Sequence, residues 1–192
     1  MGETVPETQQ RLRRTIVLIG MMGSGKTAIG RALAARLDAP LKDSDAEIVE
    51  AAQLSIAEIF ERFGEGFFRE KETQVIARLL DGAPSILSTG GGAWLAARNR
   101  AMLTETATVL WLDAGLDLLW SRVRHKTTRP LLRTANPKAT LTEIFHARQP
   151  IYALAPLRLR VDPGWSIDQT ADAVLDILID AGAVVTQRKE AR

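Results

Sequence analysis

The chain has 192 residues, 46% of them hydrophobic and 25% charged, with a formal net charge of +2: enough apolar material for one domain with a real core, and too little charge to argue for a nucleic-acid partner. It has no cysteine and only two histidines, which excludes disulfides, a thiol nucleophile, a cysteine zinc site and a multi-histidine metal site. No apolar run approaches the ~20 residues of a membrane span, and residues 1–14 are polar, with Glu3 and Glu7, unlike a targeting peptide, so a cytoplasmic protein without a membrane partner is expected.

Residues 1–13 read as a loose extension and 186–192 as a polar tail, leaving one domain over 14–185. That domain opens with Thr15-Ile16-Val17-Leu18-Ile19, a β-branched apolar run of the kind that forms a buried strand. Gly20-Met21-Met22-Gly23-Ser24-Gly25-Lys26-Thr27 follows and fits G-x-x-x-x-G-K-[ST], the phosphate-binding P-loop. Its glycines allow a tight turn that converges backbone N–H groups on an anion. Lys26 adds a point charge for the outer phosphates, and the Thr27 hydroxyl is a ligand for Mg²⁺. Ile29, Leu33 and Leu37 then recur at helical spacing. Strand, glycine loop and helix together are the confirming context for the motif, so a nucleoside triphosphate is the expected ligand.

The next segments keep alternating. Pro40, Leu41 and Lys42 lead as a short strand into Asp43-Ser44-Asp45, and 45–52 reads as helix. Ser55 and Glu58 form a capping box for a helix ending near Gly64, and 67–80 reads as a further helix with Phe68, Val75, Ile76, Leu79 and Leu80 inward. Residues 85–89 read as a strand running into Gly90, Gly91 and Gly92, 107–112 as a strand and 116–123 as a helix. Residues 125–139 lack periodicity and are rich in Arg, Lys, Thr and Pro, at the length where a loop tends to be a working part such as a lid, placed at about 124–139. A helix over 141–153, a strand over 157–161 and a helix over 166–181 complete the chain. Such alternation implies an α/β sandwich with a parallel sheet and ligands beyond the carboxyl ends of its strands.

Several residues near those strand ends suit a phosphotransfer site. Asp43 and Asp45 would share one face in extended geometry, one to hold Mg²⁺ through water and one to accept from a hydroxyl, or else the segment caps the following helix. The glycine triplet suits close backbone approach to a ligand, or a plain turn. Arg69, with Glu70 and Glu72 nearby, reads by spacing as an ordinary ion pair. Arg129 in the lid suits charge on a transferred phosphoryl group. Trp94, Trp111, Trp120 and Trp165 read as packing residues, and His125 and His146 as incidental.

The P-loop, Asp43-Ser44-Asp45, Phe68-Arg69, Gly90-Gly91-Gly92, Arg129-Pro130-Leu131-Leu132 and Arg148-Gln149-Pro150-Ile151-Tyr152 occur in the order and spacing of the shikimate kinases, and the chain resembles that family over about residues 15–180. The resemblance implies a nucleoside-monophosphate-kinase-type fold, an α/β sandwich with a five-stranded parallel sheet, helices on both faces and a mobile lid. It implies transfer of the γ-phosphate of ATP to the 3-hydroxyl of shikimate, with Mg²⁺ as cofactor. It implies that Gly23, Ser24, Gly25, Lys26, Thr27 and Ala28 hold the phosphates, Arg122 lies near the adenine and Arg129 reaches ATP from the lid. It implies Thr27 and, through water, Asp43 on the metal, with Asp45, Arg69, Gly90, Gly91, Gly92 and Arg148 around shikimate. Lys26, Asp45 and Arg129 are then the catalytic residues, and a monomer is expected. The alternatives are another kinase of the same fold, acting on gluconate or a nucleoside monophosphate, and a nucleotide-binding regulator without catalysis.

Overall fold

Residues 8–125 and 130–188 are described by a computed structural model. Its first strand, β1 (Thr8–Leu12), lies outside the main sheet, and β2 (Ile16–Ile19) lies at that sheet's centre. Ile16, Val17, Leu18 and Ile19 are all buried. This is the pattern of a parallel strand covered on both faces, and it explains the unbroken apolar run. Helix α1 (Lys26–Leu37), strand β3 (Leu41–Asp43), helix α2 (Ser44–Ala52), helix α3 (Ile56–Leu80) and strand β4 (Ile86–Ser88) follow. A 3₁₀ turn (Ala93–Leu95), helix α4 (Ala97–Thr106), strand β5 (Thr108–Asp113) and helix α5 (Leu116–Val123) come next. A 3₁₀ turn (Pro130–Leu132), helix α6 (Pro137–Tyr152), strand β6 (Leu157–Arg160), helix α7 (Ile167–Asp180) and strand β7 (Val184–Arg188) end the chain.

The main sheet is five-stranded and parallel, in the order β3-β4-β2-β5-β6. Ile16 of β2 sits level with Ile86 of β4 and Thr108 of β5. The carboxyl ends of β2, β3 and β4 therefore emerge along one edge, carrying the glycine loop, Asp43 and the glycine triplet. Ile29 and Leu33 of α1, Leu103 of α4, Leu119 of α5, Leu141 of α6 and Val174 of α7 join the strands in one contiguous core. A satellite cluster of Ile48, Ile59 and Phe68 joins α2 to α3, with the Phe60 and Phe68 ring centroids 4.7 Å apart. Helix α3 opens with the Ser55–Glu58 capping box and bends at Gly64 (φ 80°, ψ 171°), a backbone conformation reserved for glycine. The two helices expected on either side of that glycine are the two arms of the kink.

Four features differ from the expectation. The extension expected over 1–13 and the tail from 186 meet instead: β1 and β7 pair antiparallel, Thr8 opposite Arg188 and Leu12 opposite Val184. Residues 8–12 carry no local strand signal; Val184, Val185 and Thr186 do, as a β-branched run at the edge of the polar tail, and each strand supplies the other's ladder. Helix α4 was not anticipated, because no side chain caps it and its sequence is polar. It is fastened by tertiary bonds, Asn99 Nδ2 donating to the Ala93 carbonyl at 2.9 Å and Thr73 Oγ1 donating to Asn99 Oδ1 at 2.8 Å. Helix α6 starts at Pro137 rather than near 141, with Asn136 accepting from the Ala139 N–H and proline in the first turn, both ordinary start signals. The lid-like stretch is correspondingly shorter, and its residues 126–129, Arg129 among them, lie outside the described residues. Last, Asp45 does not share an extended strand with Asp43; it occupies the first turn of α2.

Candidate active site

The loop after β2 takes its shape from three glycines. Gly20, Gly23 and Gly25 have φ of 144°, 84° and 102°, values that L side chains adopt only under strain. A Cβ on Gly20 would also lie 2.8 Å from the Leu112 carbonyl of β5. Gly25 caps α1 without a side chain, so the first-turn N–H groups form an anion site at a helix N-terminus. Lys26 Nζ donates to the carbonyls of Gly20 (2.9 Å) and Met21 (3.1 Å), partners it can exchange for phosphate oxygens. Ser24 is buried and serves the loop through its backbone. Arg122 of α5 donates to the Gly23 and Ser24 carbonyls at 3.2 and 3.3 Å. Burial lowers the Arg122 guanidinium from its ordinary value, a penalty that an incoming anion relieves.

Beside the loop is a corner of oxygens. Thr27 Oγ1 donates to Asp43 Oδ2 at 3.2 Å and lies 3.2 Å from Ser88 Oγ. Asp43 does two jobs at once: its Oδ1 accepts from the Asp45 and Ala46 N–H groups as the N-cap of α2, while Oδ2 faces Thr27. Cleft and cap were alternatives in the sequence; a carboxylate with two oxygens satisfies both. Among the described residues no three His, Cys, Asp or Glu converge, so this corner is not an all-protein metal cage. One hydroxyl and one carboxylate beside a phosphate loop suit Mg²⁺, which takes most of its ligands from phosphate and water.

A cleft of about 480 Å³ runs from this loop to the glycine triplet. Its floor includes Lys26, Thr27 and Ala28, and its far wall Asp45, Gly90 and Gly91. The triplet is held from several sides. The Gly90 N–H donates to the buried Ser44 Oγ at 3.2 Å, and the Thr89 N–H and hydroxyl both reach the Leu18 carbonyl. A Cβ on Gly90 would lie 2.5 Å from Asp45 Oδ1, and one on Gly92 would lie 2.6 Å from Arg69 Cζ. At Gly90 and Gly92 charged side chains lie against the backbone; the plain-turn reading does not account for that crowding. Arg148 of α6 reaches the Gly91 carbonyl at 3.5 Å.

Arg69 is not a solvated surface pair. Its Nη1 donates to Glu72 Oε2 at 2.9 Å, and its Nε and Nη2 each reach Glu65 Oε1 at 3.2 Å. Glu72 is completely buried. Burial pushes its carboxyl above the ordinary value, the Arg69 charge pulls the other way, and the nearby Asp45 adds to the rise. For Arg69, burial opposes the charge, but Glu72 and Glu65 outweigh it and hold the guanidinium above its ordinary value. Asp45, Glu72 and Arg69 thus surround one end of the triplet. Glu72 was missed as a site residue in the sequence. Its i+3 spacing from Arg69 was visible, but its burial was not.

Trp165 is the other residue the structure places differently from its reading by residue type, although the family resemblance implied an adenine contact near 163–165. It was read as packing, like Trp94 and Trp111, which are indeed buried. Trp165 instead lines the open cleft with Arg122 and Ile167, 36% exposed. The histidines take no part: His125 and His146 are exposed and neither lines the cleft.

Three comparisons bear on this geometry. A family model described as shikimate kinase matches residues 22–178. A shikimate kinase of Ruegeria pomeroyi is 56% identical over 177 residues, 92% of this chain and 91% of that protein. One from Cereibacter sphaeroides is 55% identical over 172 residues, 90% and 86% of the two chains. A solved structure of the shikimate kinase from Acinetobacter baumannii in complex with shikimate superposes with a TM-score of 0.83 at 34% identity, covering 88% of this chain and 94% of that one.

Proposed function

The chain belongs to the shikimate kinase family, and from that premise we propose how its cleft performs the reaction. It is an ATP-dependent kinase that moves the γ-phosphate of ATP to the 3-hydroxyl of shikimate. The observation that carries the assignment of roles is the meeting of two unlike half-sites at one triplet. The anion-binding loop approaches Gly91 from one side, and a carboxylate and two arginines gather on Gly90, Gly91 and Gly92. A small carboxylated polyol needs that second combination, cations for its carboxylate and an acceptor for its hydroxyls. Gluconate carries a carboxylate too, but the family match and the relatives favour shikimate. The nucleotide-binding regulator without catalysis is disfavoured by the presence of Lys26 and Asp45 at their places.

In this reading Lys26 leaves the loop carbonyls for the β- and γ-phosphates, and Arg122 stays against the loop beside the base. Mg²⁺, when bound with the nucleotide, neutralises charge on the outer phosphates; Thr27 would ligate it directly and Asp43 through water. Arg69 and Arg148 clamp the shikimate carboxylate, and Asp45 accepts from its hydroxyl. A bond forms from that hydroxyl oxygen to the γ-phosphorus as the bond to the β-bridging oxygen breaks, and Asp45 receives the hydroxyl proton. Arg129 is assigned the lid contact with ATP. The kinase domain proposed over 14–185 is extended at both ends by the β1–β7 pair, and a cytoplasmic monomer is the state proposed for it. Among the described residues no helix is long and apolar enough to cross a membrane.

A coupled ADP-release assay with Mg²⁺ and shikimate, gluconate or AMP as acceptor tests the proposal. Turnover with gluconate or AMP and none with shikimate would overturn it, and ATP binding without any turnover would favour the regulator. Two variants test the roles. Trp165→Ala should raise the KM for ATP about tenfold, as the loss of one base-stacking partner does, with the shikimate KM within about twofold. Gly92→Ala should push the Arg69 guanidinium aside, because a Cβ there meets it at 2.6 Å, while the backbone (φ −100°) accepts alanine. The shikimate KM should rise, and Tm should fall by less than in Arg69→Ala, because the displaced guanidinium keeps its charge near Glu72; a fall in Tm at unchanged shikimate KM would contradict that role for Arg69.

A further inference from the structure

Tyr152 ends α6 one helical turn after Arg148, so the two side chains share a face. It is the single tyrosine of the chain and is 1% exposed. Its hydroxyl donates to the Gly91 carbonyl, the same oxygen that Arg148 Nη1 reaches at 3.5 Å. The ring stacks on Trp111 of the central sheet, centroids 6.0 Å apart and planes 17° apart, so the phenol is held in place. Trp94 Nε1 fixes the turn that carries it, donating to the Ile151 carbonyl at 2.9 Å. Burial pushes the phenol up to about 12, with Arg148 working against the rise, so the hydroxyl keeps its proton in neutral solution. Gly91 is also where the half-sites touch: a Cβ there would lie 3.6 Å from Met22 N and 3.7 Å from the Gly20 carbonyl.

A carbonyl oxygen has two lone pairs, and a part-buried one stripped of its donors is costly. Of the two donors on Gly91, Arg148 has other work in the reading given above, on which this inference rests: it must turn to the shikimate carboxylate. We propose that Tyr152 is a positioning residue that keeps the Gly91 carbonyl satisfied, so that Arg148 is released to the acceptor and the triplet keeps its shape. Without the hydroxyl, the carbonyl competes with shikimate for the Arg148 guanidinium. The effect then falls on shikimate binding and leaves ATP binding alone.

Tyr152→Phe keeps the ring on Trp111 and removes only the hydroxyl. The shikimate KM should rise about tenfold, the worth of one hydrogen bond, with the ATP KM within about twofold and Tm nearly unchanged. In an Arg148→Lys background the same substitution should add less than about twofold, because Tyr152 acts through Arg148. An unchanged shikimate KM, equal losses for both substrates with a fall in Tm, or a full effect in the Arg148→Lys background would each overturn the inference. Wild-type protein that does not phosphorylate shikimate would overturn the functional reading first, and this inference with it. A second measurement needs no variant. Fluorotyrosine incorporated through the whole chain labels Tyr152 alone, and its ¹⁹F resonance should shift on shikimate binding and hardly move with an ATP analogue. A resonance that ignores shikimate would overturn the proposal independently of the kinetics.

Discussion

Lys26→Ala should lower kcat by roughly a hundred- to a thousandfold, the range seen when one preorganised charge partner of a transition state is removed. In the free protein Lys26 holds two loop carbonyls, of Gly20 and Met21. Those bonds tie the loop together but do not make it: the three positive-φ glycines and the buried β2 do that. The variant should therefore fold with a Tm only slightly lower. The charge that is lost is felt most when the γ-phosphoryl group is in flight, so kcat falls more than the ATP KM rises. Stopped-flow binding and steady-state kinetics on the same preparation decide the point. A rise in the ATP KM at unchanged kcat would move Lys26 from catalysis to simple binding.

Arg69→Ala should act on shikimate and on stability together. The shikimate KM should rise roughly 10- to 100-fold, the worth of charge-assisted hydrogen bonds to a carboxylate, while calorimetry finds ATP affinity nearly unchanged. Equal losses for both ligands would contradict the assignment. Stability should fall by about 2–4 kcal/mol, near the lower end for breaking a buried pair, because Arg69 keeps 25% of its side chain in water while Glu72 keeps none. The stranded Glu72 also sets the pH dependence. Burial already raises its carboxyl above the ordinary 4.5, and Arg69 opposes that rise. A group whose folded pKa is raised contributes stability that is full below its unfolded value and is lost as pH climbs through its folded value. Deleting Arg69 raises the folded value further. The variant should therefore regain Tm as pH falls towards the ordinary carboxyl value of 4.5, more steeply than wild type. A flat or opposite difference between the two would mean that Glu72 does not carry the effect.

The five strands of the main sheet and most helices were legible because their causes are local. An unbroken β-branched run marks a strand buried on both faces, and β2 is that strand. Ser55 and Glu58 announce a helix because the cap is made of residues three apart. What escaped has distant causes. Helix α4 owes its place to Asn99 bonding the 3₁₀ turn and to Thr73 of α3. Strands β1 and β7 exist through each other, from opposite ends of the chain. The missed start of α6 is a different case: Asn136 and Pro137 stood in the sequence, but the apolar periodicity begins only at Leu141 and masked them.

The site divides the same way. The donor half is written in eight adjacent residues, since a phosphate loop works through backbone conformation and helix polarity, and neighbours in the chain determine both. By itself the sequence determined that half, the parallel α/β architecture around it and, through motifs in order, the family. The proposed acceptor half was reachable in the sequence only through the family resemblance, which placed Asp45, Arg69, Gly91 and Arg148 there; Glu72, Tyr152 and the contacts among all six come from the tertiary structure. Asp45, Arg69, Glu72, Gly91, Arg148 and Tyr152 come from two helices before β4, the turn after it and a helix near the end of the chain. Their electrostatics depend on burial: Arg69, an ordinary surface ion pair by spacing, is paired with a Glu72 that α3 folds away from water. Trp165 becomes a cleft wall rather than core by the same kind of decision. Exposure and charge pairing across long stretches of chain are properties of the packed molecule, and no local pattern encodes them.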